Sequence, residues 1–282
     1  MPDTTTIRDL LQSAKGRLRD ADTAQLDCEV LLATVIKRDR NYLYTHPEAV
    51  VTRSEIADFN SLISKRADGY PVAYLTGWKE FWSIPLSVDR NTLIPRPETE
   101  LLIETALEFI DKDANLNVLD LGTGSGAIAI ALARERPLCP ITASDISMNA
   151  LSLAMANARS NNLPNIRFLK SDWFSELDPQ RYDIILSNPP YVESGDPGFN
   201  NSEIRYEPRI ALDGGAGGMD AYFRIIPAAA RHLSGRGRLL VEHGHTQGGP
   251  VRQLFRDCHY LDITTRKDYA GHERLTFARY PG

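Results

Sequence analysis

Cysteine is scarce in this chain: three residues in 282, Cys28, Cys139 and Cys258, far apart and odd in number. No Cys-x-x-Cys pair and no Cys/His ligand spacing occurs, so neither a disulfide framework nor a metal site is expected, and a reduced compartment fits best. Long apolar runs are missing as well. The longest, Ala127 to Ala133, is far shorter than the roughly 20 residues of a membrane-spanning helix, and the opening MPDTTTIRDL lacks an apolar signal core. Excess positive charge is also absent: the net charge is −5, which speaks against a protein held to nucleic acid by bulk electrostatics. No internal repeat or low-complexity tract is found. What remains is a composition of 42% hydrophobic and 24% charged residues, ordinary for a soluble protein with a sizeable core. At about 150 residues per domain the length suggests two domains. The expectation is a cytoplasmic protein with no membrane association and no direct nucleic-acid partner.

Residues 1–75 read as a helical domain. Ile7, Leu10, Leu11 and Leu18 fall near one face of one helix, and DCEVLLATVI (27–36) continues the pattern. Ile56, Phe59, Leu62 and Ile63 share a face of another, which should start at Ser54 and stop at Gly69. Residues 76–97 predict a hairpin or linker, with Tyr74, Trp78, Phe81 and Trp82 as packing aromatics at a domain junction. From 98 to 282 helix and strand alternate: strands at 117–121, 140–144, 166–170, 182–187, 237–243, 260–265 and 274–279, with helices at 98–110, 126–136, 147–161, 220–233 and 249–257. This is the α/β pattern of a mostly parallel, doubly wound sheet.

Four segments carry chemistry, each at the carboxyl end of a strand, where such folds bind ligands. VLDLGTGSGAIAIALA (118–133) is strand, glycine-rich turn and helix, with Gly122, Thr123, Gly124, Ser125 and Gly126 in the turn. Alone it is ambiguous, since Gly122-x-Gly124-x-x-Ala127 also passes for a dinucleotide fingerprint. Asp145 ends the next strand, where an acid can hold ribose hydroxyls. Asp172 and Trp173 follow the third strand, placed to hydrogen-bond and stack on an adenine. Asn188-Pro189-Pro190-Tyr191 ends the fourth. Two prolines remove two backbone donors and fix two φ angles, leaving a stiff corner with an amide side chain, a free carbonyl and a ring. Such a corner suits an NH₂ group: Asn188 Oδ1 and the Pro189 carbonyl can each accept one N–H, and Tyr191 can stack on the planar amide. The polar loop 191–208 beyond it is long enough to be a lid or a substrate contact. His243 and His245 in EHGH lack a third ligand and are expected as ordinary residues near the rim.

With Asp120-x-Gly122-x-Gly124-x-Gly126, Asp145, Asp172-Trp173 and Asn188-Pro189-Pro190-Tyr191, the chain resembles class I S-adenosylmethionine-dependent methyltransferases. TLIPRPETE (92–100), the helical N-terminal region and RYEPRIALDGG (205–215) narrow the likeness, over essentially the whole chain, to the HemK/PrmC family. The resemblance implies a Rossmann-like domain with a seven-stranded sheet, preceded by a small helical domain that recognises substrate. It implies S-adenosyl-L-methionine as cofactor, S-adenosyl-L-homocysteine as product and no metal. The substrate it implies is the glutamine of the Gly-Gly-Gln motif in peptide chain release factors, methylated at N5 with an effect on translation termination. The cofactor would lie on Gly122, Thr123, Gly124, Ser125, Gly126, Asp145, Asp172, Trp173 and Asn188. The substrate amide would meet Asn188, Pro189, Pro190 and Tyr191, with Asn188, Pro189 and Tyr191 catalytic. Three competing readings are an adenine-N6 or similar nucleic-acid methyltransferase, a non-catalytic nucleotide-binding module, and an NAD dehydrogenase.

Overall fold

Threonine starts two helices by the same device. Thr6 accepts a hydrogen bond from the Asp9 N–H while the Asp9 carboxylate accepts the Thr6 N–H, and Thr52 and Glu55 repeat the exchange. Each box satisfies donors that a helix start leaves unpaired. They open α1 (Ile7–Arg17) and α4 (Arg53–Ala67). The start expected at Ser54 thus lies two residues earlier, because Thr52 and Glu55 stand at the spacing the box needs. The computed structural model describes residues 5–18, 22–177, 180–200 and 203–282. Residues 1–4 of the polar N-terminus, and Asn201 and Ser202 of the polar loop, lie outside them.

The chain divides into two units, Met1–Gly77 with Asn200–Tyr206, and Trp78–Phe199 with Glu207–Gly282. The first is helical: α1, α2 (Ala24–Ile36), α3 (Arg40–Thr45), α4 and α5 (Val72–Thr76). Its core gathers Ile7, Leu10, Leu31, Leu32, Phe59 and Ile63, the buried rows of the amphipathic helices. Leu11, Ile56 and Leu62 pack at its margin. The helices α3 and α5, of six and five residues, are too short to leave a periodic signal. Arg66 pairs with Asp27 at 2.6 Å, both nearly buried, and with Glu203 at 2.7 Å. Tyr206 packs on Tyr70 with ring centroids 4.6 Å apart. These contacts explain why residues 203–206 belong with the helices.

In the second unit a hairpin of β1 (Trp78–Phe81) and β2 (Ile84–Ser87) precedes α6 (Glu100–Leu107), which a 3₁₀ turn at Pro97–Thr99 introduces. Trp82 and Ser83 form the hairpin turn, both at φ 53°. Trp82 is held by its backbone N–H on Glu100 and its indole N–H on Glu135. There follow β3 (Val118–Leu121), α7 (Ala127–Glu135), β4 (Ile141–Asp145), α8 (Met148–Ser160), β5 (Ile166–Lys170), β6 (Tyr182–Ser187), α9 (Asp220–Ala229), β7 (Leu233–Glu242), α10 (Gly248–Asp257), β8 (Leu261–Lys267) and β9 (Glu273–Arg279). The seven-stranded sheet has the order β5-β4-β3-β6-β7-β9-β8, parallel except for β9, which runs antiparallel to both neighbours.

Strand side chains alternate between two apolar layers. Val118, Ile184 and Leu240 face the layer holding α6 and α7; Leu119, Ile185 and Leu239 face the layer holding α9 and α10. The run Ala127–Ala133 is buried all round. Each of its larger side chains, Ile128, Ile130 and Leu132, is worth about 1.5–3 kcal/mol of burial. Because β3 pairs with β4 on one side and β6 on the other, the chain reverses its direction of travel between β3 and β6. A crevice opens at the carboxyl ends of these two strands.

Candidate active site

The glycine turn after β3 is bolted to the sheet from below. Gly122 N–H and Thr123 N–H both donate to the Ser144 carbonyl at 2.9 Å, and Asn157 Nδ2 donates to the Ser125 carbonyl at 2.9 Å. Asp120 accepts the Thr123 hydroxyl at 2.6 Å and the Ala129 N–H at 3.2 Å. It is wholly buried, a brace beneath the turn. Gly124 has φ +57° and a Cβ there would meet nothing within 4 Å, so the backbone itself forms an open wall of the crevice. Asp145 holds the turn from β4, with Oδ2 on Gly124 N–H at 2.9 Å and Oδ1 on Ser147 N–H at 2.8 Å. Burial raises its pKa, and those backbone hydrogen bonds counter the rise.

The crevice is a cavity of about 330 Å³ whose wall includes Gly122, Thr123, Gly124, Ser125, Asp145, Asp172, Trp173, Asn188 and Pro190. Nine of the expected site residues therefore meet in one place. Three others do not line it. Gly126 faces away: a Cβ there would lie 3.0 Å from Ile130 and 3.1 Å from Ala154, so its smallness serves packing of α7 on α8. Pro189 is buried beside the wall, with no donor on its carbonyl among the described residues. The third, Tyr191, turns its hydroxyl away to Glu242 Oε1 at 3.3 Å, and burial raises its pKa. Thr123 lends its hydroxyl to Asp120, leaving its backbone to the cavity. The Trp173 ring lies over the turn, 3.6 Å from where a Gly122 Cβ would be. Asp172 is half-exposed and pairs with Arg224 at 2.8 Å.

The corner after β6 is braced on every side. Asn188 Nδ2 donates to Thr99 Oγ1 at 3.0 Å, and Gln247 Nε2 donates to the Tyr191 carbonyl at 3.0 Å. Val192 N–H donates to Leu212 O at 2.9 Å, and Gly214 N–H donates to Val192 O at 2.8 Å. The Asp213–Gly218 segment approaches so closely that a Cβ on Gly218 would lie 2.1 Å from the Tyr191 carbonyl. Only glycine permits that approach. The buried Glu207 carboxylate accepts Ile94 N–H at 3.0 Å and pairs with Arg96, so the two sequence segments 92–100 and 205–215 are tied together at the cavity.

Sequence reasoning did not assign roles to Thr99, Arg224, Glu207 or Glu242, because each acts through contacts between distant segments. His243 differs from its expected place at the rim. It is fully buried, with Nε2 on Thr276 Oγ1 and Nδ1 on Gly244 O, both at 2.9 Å, whereas His245 is exposed. Cys28 and Cys139 are buried and Cys258 half-buried. Among the described residues, no helix is long and apolar enough to cross a membrane.

A glycine turn, an acid at the next strand end and an Asn-Pro-Pro-Tyr corner around one crevice of this sheet define a Rossmann-like methyltransferase. The family description "Methyltransferase small domain" matches residues 97–201, and "PrmC N-terminal domain" matches 9–77. A methyltransferase from Pyrococcus furiosus shares the fold at TM-score 0.52 and 18% identity, over 70% of this chain and 88% of that one. The release factor glutamine methyltransferase of Salmonella typhimurium is 44% identical over 96% of this chain and 97% of its own length. That of Pseudomonas aeruginosa is 44% identical over 98% and 99%. The chain belongs to the release factor glutamine methyltransferase family.

Proposed function

We propose that this protein transfers a methyl group from S-adenosyl-L-methionine to the side-chain amide nitrogen, N5, of the glutamine in the Gly-Gly-Gln motif of peptide chain release factors. The observation that carries the reading is the state of Asn188: its Nδ2 is committed to Thr99, which leaves Oδ1, with no donor on it among the described residues, as the acceptor at a cavity wall.

The residues present fit the cofactor. The open backbone at Gly124 admits close approach, Asp145 offers acceptor lone pairs to ribose hydroxyls, and Trp173 offers a ring face to adenine with Asp172 beside it. When bound, S-adenosylmethionine supplies a methyl group on a positively charged sulfur, an activated donor that needs no covalent enzyme intermediate. The protein's own task is the acceptor. A carboxamide nitrogen is a weak nucleophile because its lone pair is delocalised into the carbonyl. Asn188 Oδ1 and the Pro189 carbonyl accept its two N–H groups, favour positive charge on nitrogen and aim its lone pair. The prolines keep both acceptors still. In this reading the helical unit holds the release factor, and the enzyme works in the cytoplasm with translation termination.

Mass spectrometry of a release factor incubated with enzyme and cofactor tests this. One methyl group should appear on the glutamine, and none on a glutamate put in its place, which lacks both N–H donors. Asn188→Ala should stay folded and lose about 10²–10³ in turnover, as when one preorganised partner is removed. Methylation of adenine in nucleic acid with the release factor untouched would overturn the reading.

A further inference from the structure

Gln247 stands half-buried just before α10, outside the cavity wall. Its side-chain amide is engaged at both ends. Oε1 accepts the Gly244 N–H at 2.9 Å, and the Gln247 backbone N–H donates to the Gly244 carbonyl at 2.9 Å, closing the turn between β7 and α10. With its oxygen held there, the amide turns Nε2 toward three carbonyls, donating to Tyr191 at 3.0 Å, Gly217 at 3.1 Å and Gly218 at 3.2 Å. These carbonyls belong to two distant segments, the corner after β6 and the glycine-rich run 213–218. Glycine keeps the space around the amide. A Cβ on Gly218 would lie 2.4 Å from Nε2, and one on Gly244 would lie 3.0 Å from Oε1.

We propose that Gln247 is a positioning residue for methyl transfer: its NH₂ clasps the exit of the Asn-Pro-Pro-Tyr corner to the 213–218 segment and so holds the two acceptors of the corner in place. The inference rests on the amide-methylation reading and deepens it at the same corner. Proline fixes φ but leaves ψ free, so the directions of the corner's carbonyls depend on what fastens the chain beyond it. The bond from Gln247 to the Tyr191 carbonyl is such a fastening. The clasped segment reaches the cavity itself. A Cβ on Gly214 would lie 2.7 Å from the Pro190 carbonyl oxygen and 2.8 Å from Tyr191 Cα, and Gly214 and Pro190 both line the wall. A shift of either segment is therefore felt where substrate would bind.

Donor and acceptor counting says why the side chain is an amide. Three carbonyl oxygens converging on one point repel one another, and a donor at that point turns the repulsion into a clasp. The opposite end must accept, because the Gly244 N–H meets it. Glutamine does both. Methionine has about the same length and supplies no N–H. Glutamate has the same shape and keeps the acceptor for Gly244, but when ionised it sets a fourth oxygen against the three carbonyls. Lysine supplies the donors and lacks the acceptor.

The test compares Gln247→Met, Gln247→Glu and Gln247→Lys with the wild type on a release factor. Calorimetric titration with S-adenosylhomocysteine counts the folded sites, and kcat is expressed per site, so that unfolded molecules do not enter. Gln247→Met should lower kcat about 10- to 100-fold, the scale on which a displacement of about 1 Å far from the chemistry acts. Gln247→Glu should lower it at least as far, and Gln247→Lys should recover most of the loss. Release-factor KM and S-adenosylhomocysteine affinity should change little in all three, because Gln247 lies outside the cavity wall. Should Gln247→Met yield no folded sites, the contrast between Gln247→Glu and Gln247→Lys carries the same comparison. Wild-type kcat per site in Gln247→Glu, or equal losses in Gln247→Glu and Gln247→Lys, overturns the proposal, as does a loss that falls on KM alone. A wild type that leaves release-factor glutamine unmodified overturns the functional reading instead.

Discussion

Replacing Asp120 by asparagine should remove one part of the protein's pH-dependent stability. Asp120 is wholly buried, with Oδ2 taking the Thr123 hydroxyl and the Ala129 N–H and Oδ1 taking no partner among the described residues. Burial pushes its pKa from 3.8 up to about 7 against those two hydrogen bonds, and the Asp145 charge adds to the rise. The folded pKa lies above the unfolded one, so between 3.8 and about 7 the folded carboxyl keeps a proton that the unfolded chain has released. The stabilisation is complete below the unfolded value and is lost as pH rises through the folded one. At about 1.4 kcal/mol per pH unit, roughly 3 kcal/mol should vanish between about pH 5 and pH 8. Glu242 titrates in the same direction, whereas His232 and His243, with pKa values lowered by burial, titrate oppositely. The quantity to measure is therefore the difference between wild type and variant. Asparagine keeps an oxygen for Thr123 and Ala129 but places an NH₂ where Oδ1 had no partner, at a pH-independent cost of about 1–3 kcal/mol. Urea unfolding at the two pH values should show the wild type ahead at the lower and level with or behind Asp120→Asn at the higher. Parallel pH curves for the two proteins would refute the reasoning.

Two further outcomes concern the cavity. Asp145→Ala should weaken S-adenosylhomocysteine binding by about 1.5–3 kcal/mol, the scale of hydrogen bonds to a charged group; calorimetry on a folded variant with unchanged affinity would remove Asp145 from the site. Trp173→Ala should cost about 1–3 kcal/mol of the same affinity, and its fluorescence in the wild type should respond to ligand; indifference in both would leave the ring a core residue.

Much of the strand and helix succession was legible because its signals are local. The short apolar runs of β3 and β6, the amphipathic rows of α1 and α4 and the glycine punctuation after β3 each act within a few residues. The doubly wound topology follows from strand–helix alternation, and it alone sends the segments after β3, β4, β5 and β6 toward one crevice. The short α3 and α5 gave no period to read, and the cap of α4 was misplaced because several polar residues near it could have served.

The sequence by itself determined which residue types stand at the strand ends, and hence a crevice with a glycine turn, an acid, an indole and a proline-stiffened amide. Tertiary structure alone decided how those groups are oriented. Gly126 packs helices instead of lining the cavity, Asp120 braces the turn from beneath, and Gly218 lets a distant loop touch the Tyr191 carbonyl. Asn188 Nδ2 donates to Thr99, 89 positions away, and the Tyr191 hydroxyl donates to Glu242, 51 positions away. Hydrogen-bond direction depends on partners within about 3 Å in space, and separations of this length along the chain leave no periodic trace from which such partners could be read.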